Sequence, residues 1–214
     1  MTHEVIPEPV DGQVDDRADG LIVERVDRLA ARVRGSAPRL GAVRLVCIDG
    51  PAGSGKTTLA NRLGGELGAR VLHTDDLLDG WGGLVGMWPR LQHGVPDPLA
   101  AGRPGRYQRY DWIAREFAEW HPVPVADVLV IEGCGSARRE VDAVAVLRVW
   151  VEAPADVRLA RWIARGGEAD CAHFSGWARD ESTHFAADAT RARADEIVDT
   201  STWGGGAAMT SAPR

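Results

Sequence analysis

The sequence predicts an α/β fold: a five-stranded parallel sheet with helices on both faces, three layers in all. Three observations carry that prediction. Short apolar runs alternate with segments whose apolar residues recur at the helical period. The runs are nearly continuous, as in Val128-Leu-Val-Ile-Glu132, which suits strands buried on both faces. A glycine-rich turn joins the first run to the helix that follows it.

The elements are justified in order. Residues 1–20 are acidic and contain Pro and Gly, and are predicted as a disordered tail. Ile22, Val26, Leu29 and Val33 step by four, three and four, so they form one face of a helix over 21–34. Val43–Ile48 is the first strand. The next helix starts at Lys56, carries Leu59, Leu63 and Leu67 on one face, and stops at Gly68. Val71–His73 is the second strand. Residues 79–106 hold many Gly and Pro residues, which break any helix there. Asp111–Trp120 reads as helix, ended by Pro122 and Pro124. Val128–Glu132 and Val146–Val151 are the third and fourth strands, and Ala155–Arg165 is a helix broken at Gly166-Gly167. Residues 176–194 are helical again, Glu196–Asp199 is the fifth strand, and 203–214 is a second disordered tail. The prediction is one domain over 21–202.

Composition narrows the function. The chain has 214 residues, 44% hydrophobic and 26% charged, the balance of a folded globular domain. A formal net charge of −6 argues against general nucleic-acid binding. No apolar run approaches the ~20 residues of a membrane span, and residues 1–20 lack a charged-then-apolar pattern, so no export is predicted. Cys47, Cys134 and Cys171 are far apart, which suits reduced thiols and a cytoplasmic protein. Cys171, His173 and His184 match no zinc spacing. Of the 25 basic Lys and Arg residues, Lys56 is the only lysine. Lysine is a compact point charge on a flexible stem, whereas arginine is a rigid fork.

That lysine falls in Gly50-Pro51-Ala52-Gly53-Ser54-Gly55-Lys56-Thr57, followed by Thr58, between the first strand and its helix. This is the G-x-x-x-x-G-K-[ST] phosphate loop in its strand–loop–helix context. Such a loop wraps backbone N–H groups around a phosphate, and the helix N-terminus adds partial positive charge. Lys56 is placed to reach the β- and γ-phosphates and Thr57 to ligate Mg²⁺, so the expected ligands are ATP and Mg²⁺.

Ligands of open parallel sheets bind at the carboxyl ends of the strands. Two acidic sites fall there. Glu132 ends the third strand and is suited to holding Mg²⁺ through water. Asp75 and Asp76 follow the second strand, and a carboxylate there can take the proton of an attacking hydroxyl. Thr57, Asp75 and Glu132 are thus the candidate residues around the metal. A guanine-reading motif would need a second lysine, which the chain lacks.

The phosphate loop, Asp75-Asp76, Tyr110-Asp111 and Ile131-Glu132-Gly133 together resemble the uridine kinase family of P-loop kinases, over roughly residues 41–200. The resemblance implies a P-loop NTPase sandwich of the nucleoside and nucleotide kinase type, transferring the γ-phosphate of ATP to a hydroxyl of a nucleoside-like small molecule. The alternative is a P-loop ATPase or regulatory protein without kinase activity. The resemblance also implies Asp75 as the base, Asp76, Tyr110 and Asp111 near the substrate, a substrate-side insertion over 79–110, and a lid over 161–176. Arg161 and Arg165 would then stabilise charge on the phosphates. The chain departs from the family where Arg115 stands five residues after the tyrosine in place of a base-reading histidine, and where Gly166–Asp170 lacks the lid's arginines.

Overall fold

The computed structural model describes residues 16–203, with side chains for residue 20 and for 22–165 and 173–203. The expected tails over 1–15 and 204–214 lie outside the described residues, as does the side chain of Cys171. Helix α1 spans Asp16–Gly35, so it begins inside the segment read as tail. It buries the expected face: Ile22, Val26, Leu29 and Val33 are all in the core. Each such side chain contributes about 1.5–3 kcal/mol on burial.

Strands β1 (Arg44–Asp49), β2 (Arg70–His73), β5 (Val128–Glu132), β6 (Ala145–Glu152) and β7 (Glu196–Asp199) form one sheet in the order β2-β5-β1-β6-β7. Every pairing in it is parallel. Alternation along β1 divides the core in two. Val46 and Ile48 face α1 and α2 (Lys56–Leu67), while Leu45 and Cys47 face the layer that holds Leu72, Met87 and Leu91. Among the described residues no helix is long and apolar enough to cross a membrane.

Two stretches differ from the sequence reading. Asp111–Trp120 is not a helix. Strands β3 (Gly105–Asp111) and β4 (Glu116–Val123) form an antiparallel hairpin, with Tyr110 opposite Phe117. The turn explains the reversal. The Asp111 carboxylate accepts the N–H groups of Ile113 and Ala114, both at 2.9 Å, and Arg115 closes the turn at φ 57°. An aspartate that captures its own backbone competes with a helical start, and the aromatic flanks suit strands. Before the hairpin, the Gly- and Pro-rich stretch still forms α3 (Leu84–Gly94), which runs through Pro89, and the short α4 (Pro96–Ala100).

The chain is helical on both sides of Gly166-Gly167. Helix α5 spans Ala155–Asp188 and is followed by α6 (Thr190–Arg193). This helix is not a straight rod. Arg158 and Glu181 are 23 positions apart yet form an ion pair at 3.2 Å. A straight helix would separate them by about 34 Å along its axis, beyond the reach of any two side chains. The rings of Trp162 and Phe174 likewise meet at 5.2 Å. The arms 155–165 and 173–188 therefore fold back on one another over the sheet's carboxyl edge.

Candidate active site

The phosphate loop leaves β1 and enters α2. Two of its glycines have no room for a side chain. Gly50 lies at φ 144°, where a Cβ would sit 2.1 Å from the Val151 carbonyl oxygen. Gly53 lies at φ 77°, where a Cβ would sit 2.4 Å from the Arg158 carbonyl oxygen. The N-terminus of α2 has neither a side-chain cap nor an acidic residue in its first turn. Its N–H groups suit an anion. The Lys56 ammonium donates to the Pro51 carbonyl at 3.0 Å, which holds the lysine across the loop.

Buried carboxylates fix this loop from two sides. Asp49 ends β1, fully buried, and accepts from the N–H groups of Gly50 (2.7 Å), Gly135 (3.0 Å) and Ala137 (2.8 Å). It ties the start of the loop to the turn after β5. Burial pushes its carboxyl up to about 6, against those hydrogen bonds and the Lys56 charge. Glu181, on the second arm of α5, accepts from Ala52 N–H at 2.8 Å and pairs with Arg158, which donates at 3.2 Å to the Ala52 carbonyl. Both sides of one loop residue are thus held by α5. Burial also raises the Glu181 carboxyl, opposed by the Ala52 N–H, Lys56, Arg158 and a hydrogen bond from Trp177.

Two of the three expected metal residues meet, and Asp75 shares only their cavity. Thr57 Oγ1 donates to Glu132 Oε1 at 3.1 Å, and the same oxygen meets His73 Nδ1. That contact raises the His73 imidazole above its ordinary value. Among the described residues no group of three His, Cys, Asp or Glu side chains is placed to hold a metal by itself. The donor set fits an ion shared with phosphate oxygens and water, as Mg²⁺ prefers.

A cavity of about 850 Å³ opens beside the loop, and Ala52, Gly53, Lys56, Thr57, Asp75 and Glu132 all line it. Asp75 and Asp76 sit in a 3-10 turn, Thr74–Leu77, so the alternation of an extended strand does not separate them. They diverge nonetheless. Asp75 reaches the cavity, with its carbonyl held by the Trp112 indole N–H at 3.3 Å, while Asp76 accepts from the Tyr107 hydroxyl. Tyr110, Arg115 and Arg165 line the cavity, whereas Asp111 is occupied by its turn and by Arg109. Arg161 is not brought to the cavity. Its guanidinium donates to Thr200 Oγ1, to the carbonyls of Thr200 and Trp203, and at 3.4 Å to the Gly53 carbonyl, tying α5 to the loop after β7 and to the phosphate loop. Of the rest of the loop, Ser54 is buried, Gly55 caps α2, and Thr58 is exposed in its first turn.

Sequence reasoning missed Asp49, Arg158 and Glu181. An acid or base within a helical pattern is by default solvent-facing, and nothing local marks Glu181 as the partner of a loop 129 positions away.

The comparisons agree with this fold. A family model described as an AAA domain matches residues 46–176, more than half of the chain, and the chain belongs to that family. Its structural neighbours are uridine kinase-like and other P-loop small-molecule kinases. A possible uridine kinase from Bacillus stearothermophilus shares 22% identity and a TM-score of 0.61, covering 84% of this chain and 100% of that one. A protein described as a candidate fructose transport system kinase, from Silicibacter sp. TM1040, shares 22% identity and a TM-score of 0.58, covering 82% and 98%. At such identity the likeness is one of fold. No curated protein matches the sequence.

Proposed function

We propose that this protein is a Mg·ATP-dependent kinase that phosphorylates a hydroxyl group of a small molecule. The observation that carries the reading is that one cavity holds the phosphate loop with Lys56 and Thr57, the acidic Glu132, and Asp75. In this reading the N–H groups of the loop and α2 bind the β-phosphate, and Lys56 moves from Pro51 onto the transferring phosphoryl group. Mg²⁺, held by Thr57 and by water on Glu132, would neutralise phosphate charge. Asp75 accepts the proton of the acceptor hydroxyl, and the Trp112 contact fixes the turn that presents it. Arg165 is the α5 guanidinium on the cavity wall, and Arg161 acts through the Gly53 carbonyl of the phosphate loop and through the loop after β7. The arms of α5 exclude water, the role expected of a lid. The nucleoside implied by the family resemblance rests here on Tyr110 and Arg115, since Asp76 and Asp111 have other partners within the protein.

Lys56→Ala tests the reading. With no second lysine in the chain, ADP formation should fall by about 10²–10³-fold, the effect of losing one preorganised donor. A mutant that turns over ATP at the wild-type rate would refute the assignment.

A further inference from the structure

Beyond the phosphate loop, indoles line much of the cavity. Trp81, Trp112, Trp162 and Trp177 all line it, and they come from three separate parts of the fold. Trp81 stands in the tight turn before α3, Trp112 at the hairpin, and the other two on the two arms of α5. Trp81 is the hub. Its ring lies 5.0 Å from Trp112, 5.7 Å from Trp162 and 6.2 Å from Trp177, and it stacks on His173 at 4.8 Å. Trp81 and Trp112 are only partly buried, so an aromatic surface stays open towards the cavity that Asp75 shares.

The neutral polar groups on this wall are few, chiefly the Tyr110 hydroxyl and the His173 imidazole, whose ring is stacked on Trp81. Beyond the phosphate loop and α2, no Asn, Gln, Ser or Thr side chain lines the cavity among the described residues. Two indole N–H groups are committed inside the protein, that of Trp112 to the Asp75 carbonyl and that of Trp177 to Glu181. The cations Lys56, Arg115 and Arg165 outnumber the carboxylates Asp75 and Glu132 around the same space, which disfavours a positively charged acceptor in spite of the aromatic faces. A site that reads a polar edge needs neutral donors and acceptors, and an apolar wall discriminates by shape and ring contact instead.

We propose that the acceptor is an uncharged alcohol carrying a flat aromatic ring, with the ring against Trp81 and Trp112 and the hydroxyl directed at Asp75. The proposal rests on the kinase reading only for the direction of the hydroxyl. Its first test needs no variant. Titration calorimetry of the full chain, with Mg²⁺ and the non-hydrolysable analogue AMP-PNP, compares 2-phenylethanol with 2-cyclohexylethanol, and both with uridine and choline. The phenyl compound should bind about tenfold tighter than its saturated counterpart, since aromatic pairs add to the area buried. It should also bind tighter than uridine or choline. Trp81→Leu, checked for native far-UV dichroism, should shrink the tenfold ratio to below twofold. Equal binding of the phenyl and cyclohexyl compounds overturns the proposal, as does tighter binding of uridine, which means edge recognition, or of choline, which means a cation cage. The ring preference is measured again without nucleotide. If it appears while AMP-PNP fails to bind, the kinase reading falls and the ring site stands. If AMP-PNP binds and no ring preference appears, only the ring site falls.

Discussion

Glu181 offers the sharpest test of how the phosphate loop is held. Its side chain is 3% exposed and that of Arg158 17%, and they meet at 3.2 Å. Glu181→Ala removes the acceptor of the Ala52 N–H and leaves Arg158 without its carboxylate. Breaking a buried pair by deleting one partner costs about 3–5 kcal/mol. Glu181→Gln keeps an acceptor for Ala52 N–H and loses only the charge, so it should cost less, about 1–3 kcal/mol, as for a buried polar group with one poor partner. Urea unfolding gives both values. The structural consequence is local as well, because the Ala52 N–H loses its acceptor and Arg158, which holds the Ala52 carbonyl, loses the carboxylate that positions it. ATP affinity should therefore fall in Glu181→Ala beyond what instability explains, and recover in large part in Glu181→Gln. Fluorescence titration of a labelled ATP analogue at a temperature where both variants are folded measures it. If Glu181→Ala has wild-type stability and wild-type nucleotide affinity, the reasoning about this latch is refuted.

The remaining predictions concern the cavity and the pH dependence. Asp75→Asn should lower kcat by about 10²–10⁴-fold, the contribution of a positioned base, while Asp76→Asn, which loses a Tyr107 contact, should lower stability more than rate; paired kinetics and melting curves decide it. Activity should vanish in EDTA, return with Mg²⁺ or Mn²⁺, and return poorly with Ca²⁺, which takes more oxygen ligands at longer distances. Asp49 titrates near 6 in the folded chain against 3.8 as its ordinary value. Between these values the folded state holds a proton that the unfolded state releases, so this group's contribution to stability declines as pH rises from about 4 to about 6, by a few kcal/mol at most. Asp49→Asn should flatten that part of the wild-type stability-against-pH curve, and an unchanged slope would count against the burial argument.

What the sequence determined by itself is what is written in short-range pattern. The strand–loop–helix around Gly50–Thr57 was legible because its steric demands are local, and the structure shows two of those glycines pressed against carbonyl oxygens. The α1 face and the five strands were legible because buried elements carry an apolar period over their own length. The hairpin over 105–123 was not. Asp111–Trp120 has helix-compatible composition, and only capture of the turn N–H groups by Asp111, together with pairing to β3, selects strands. The tertiary structure alone decided which charges act together. Asp75 and Asp76 are neighbours in sequence, and packing of Tyr107 and Trp112 sends one into the chain's interior contacts and the other to the cavity. Arg161, which the family resemblance placed over the phosphates, meets the phosphate loop at the Gly53 carbonyl and is held by carbonyls after β7, and Glu181 reaches the loop only because the arms of α5 fold back. Burial and partner choice for a charged side chain depend on what the rest of the chain brings alongside it, and no local period encodes that.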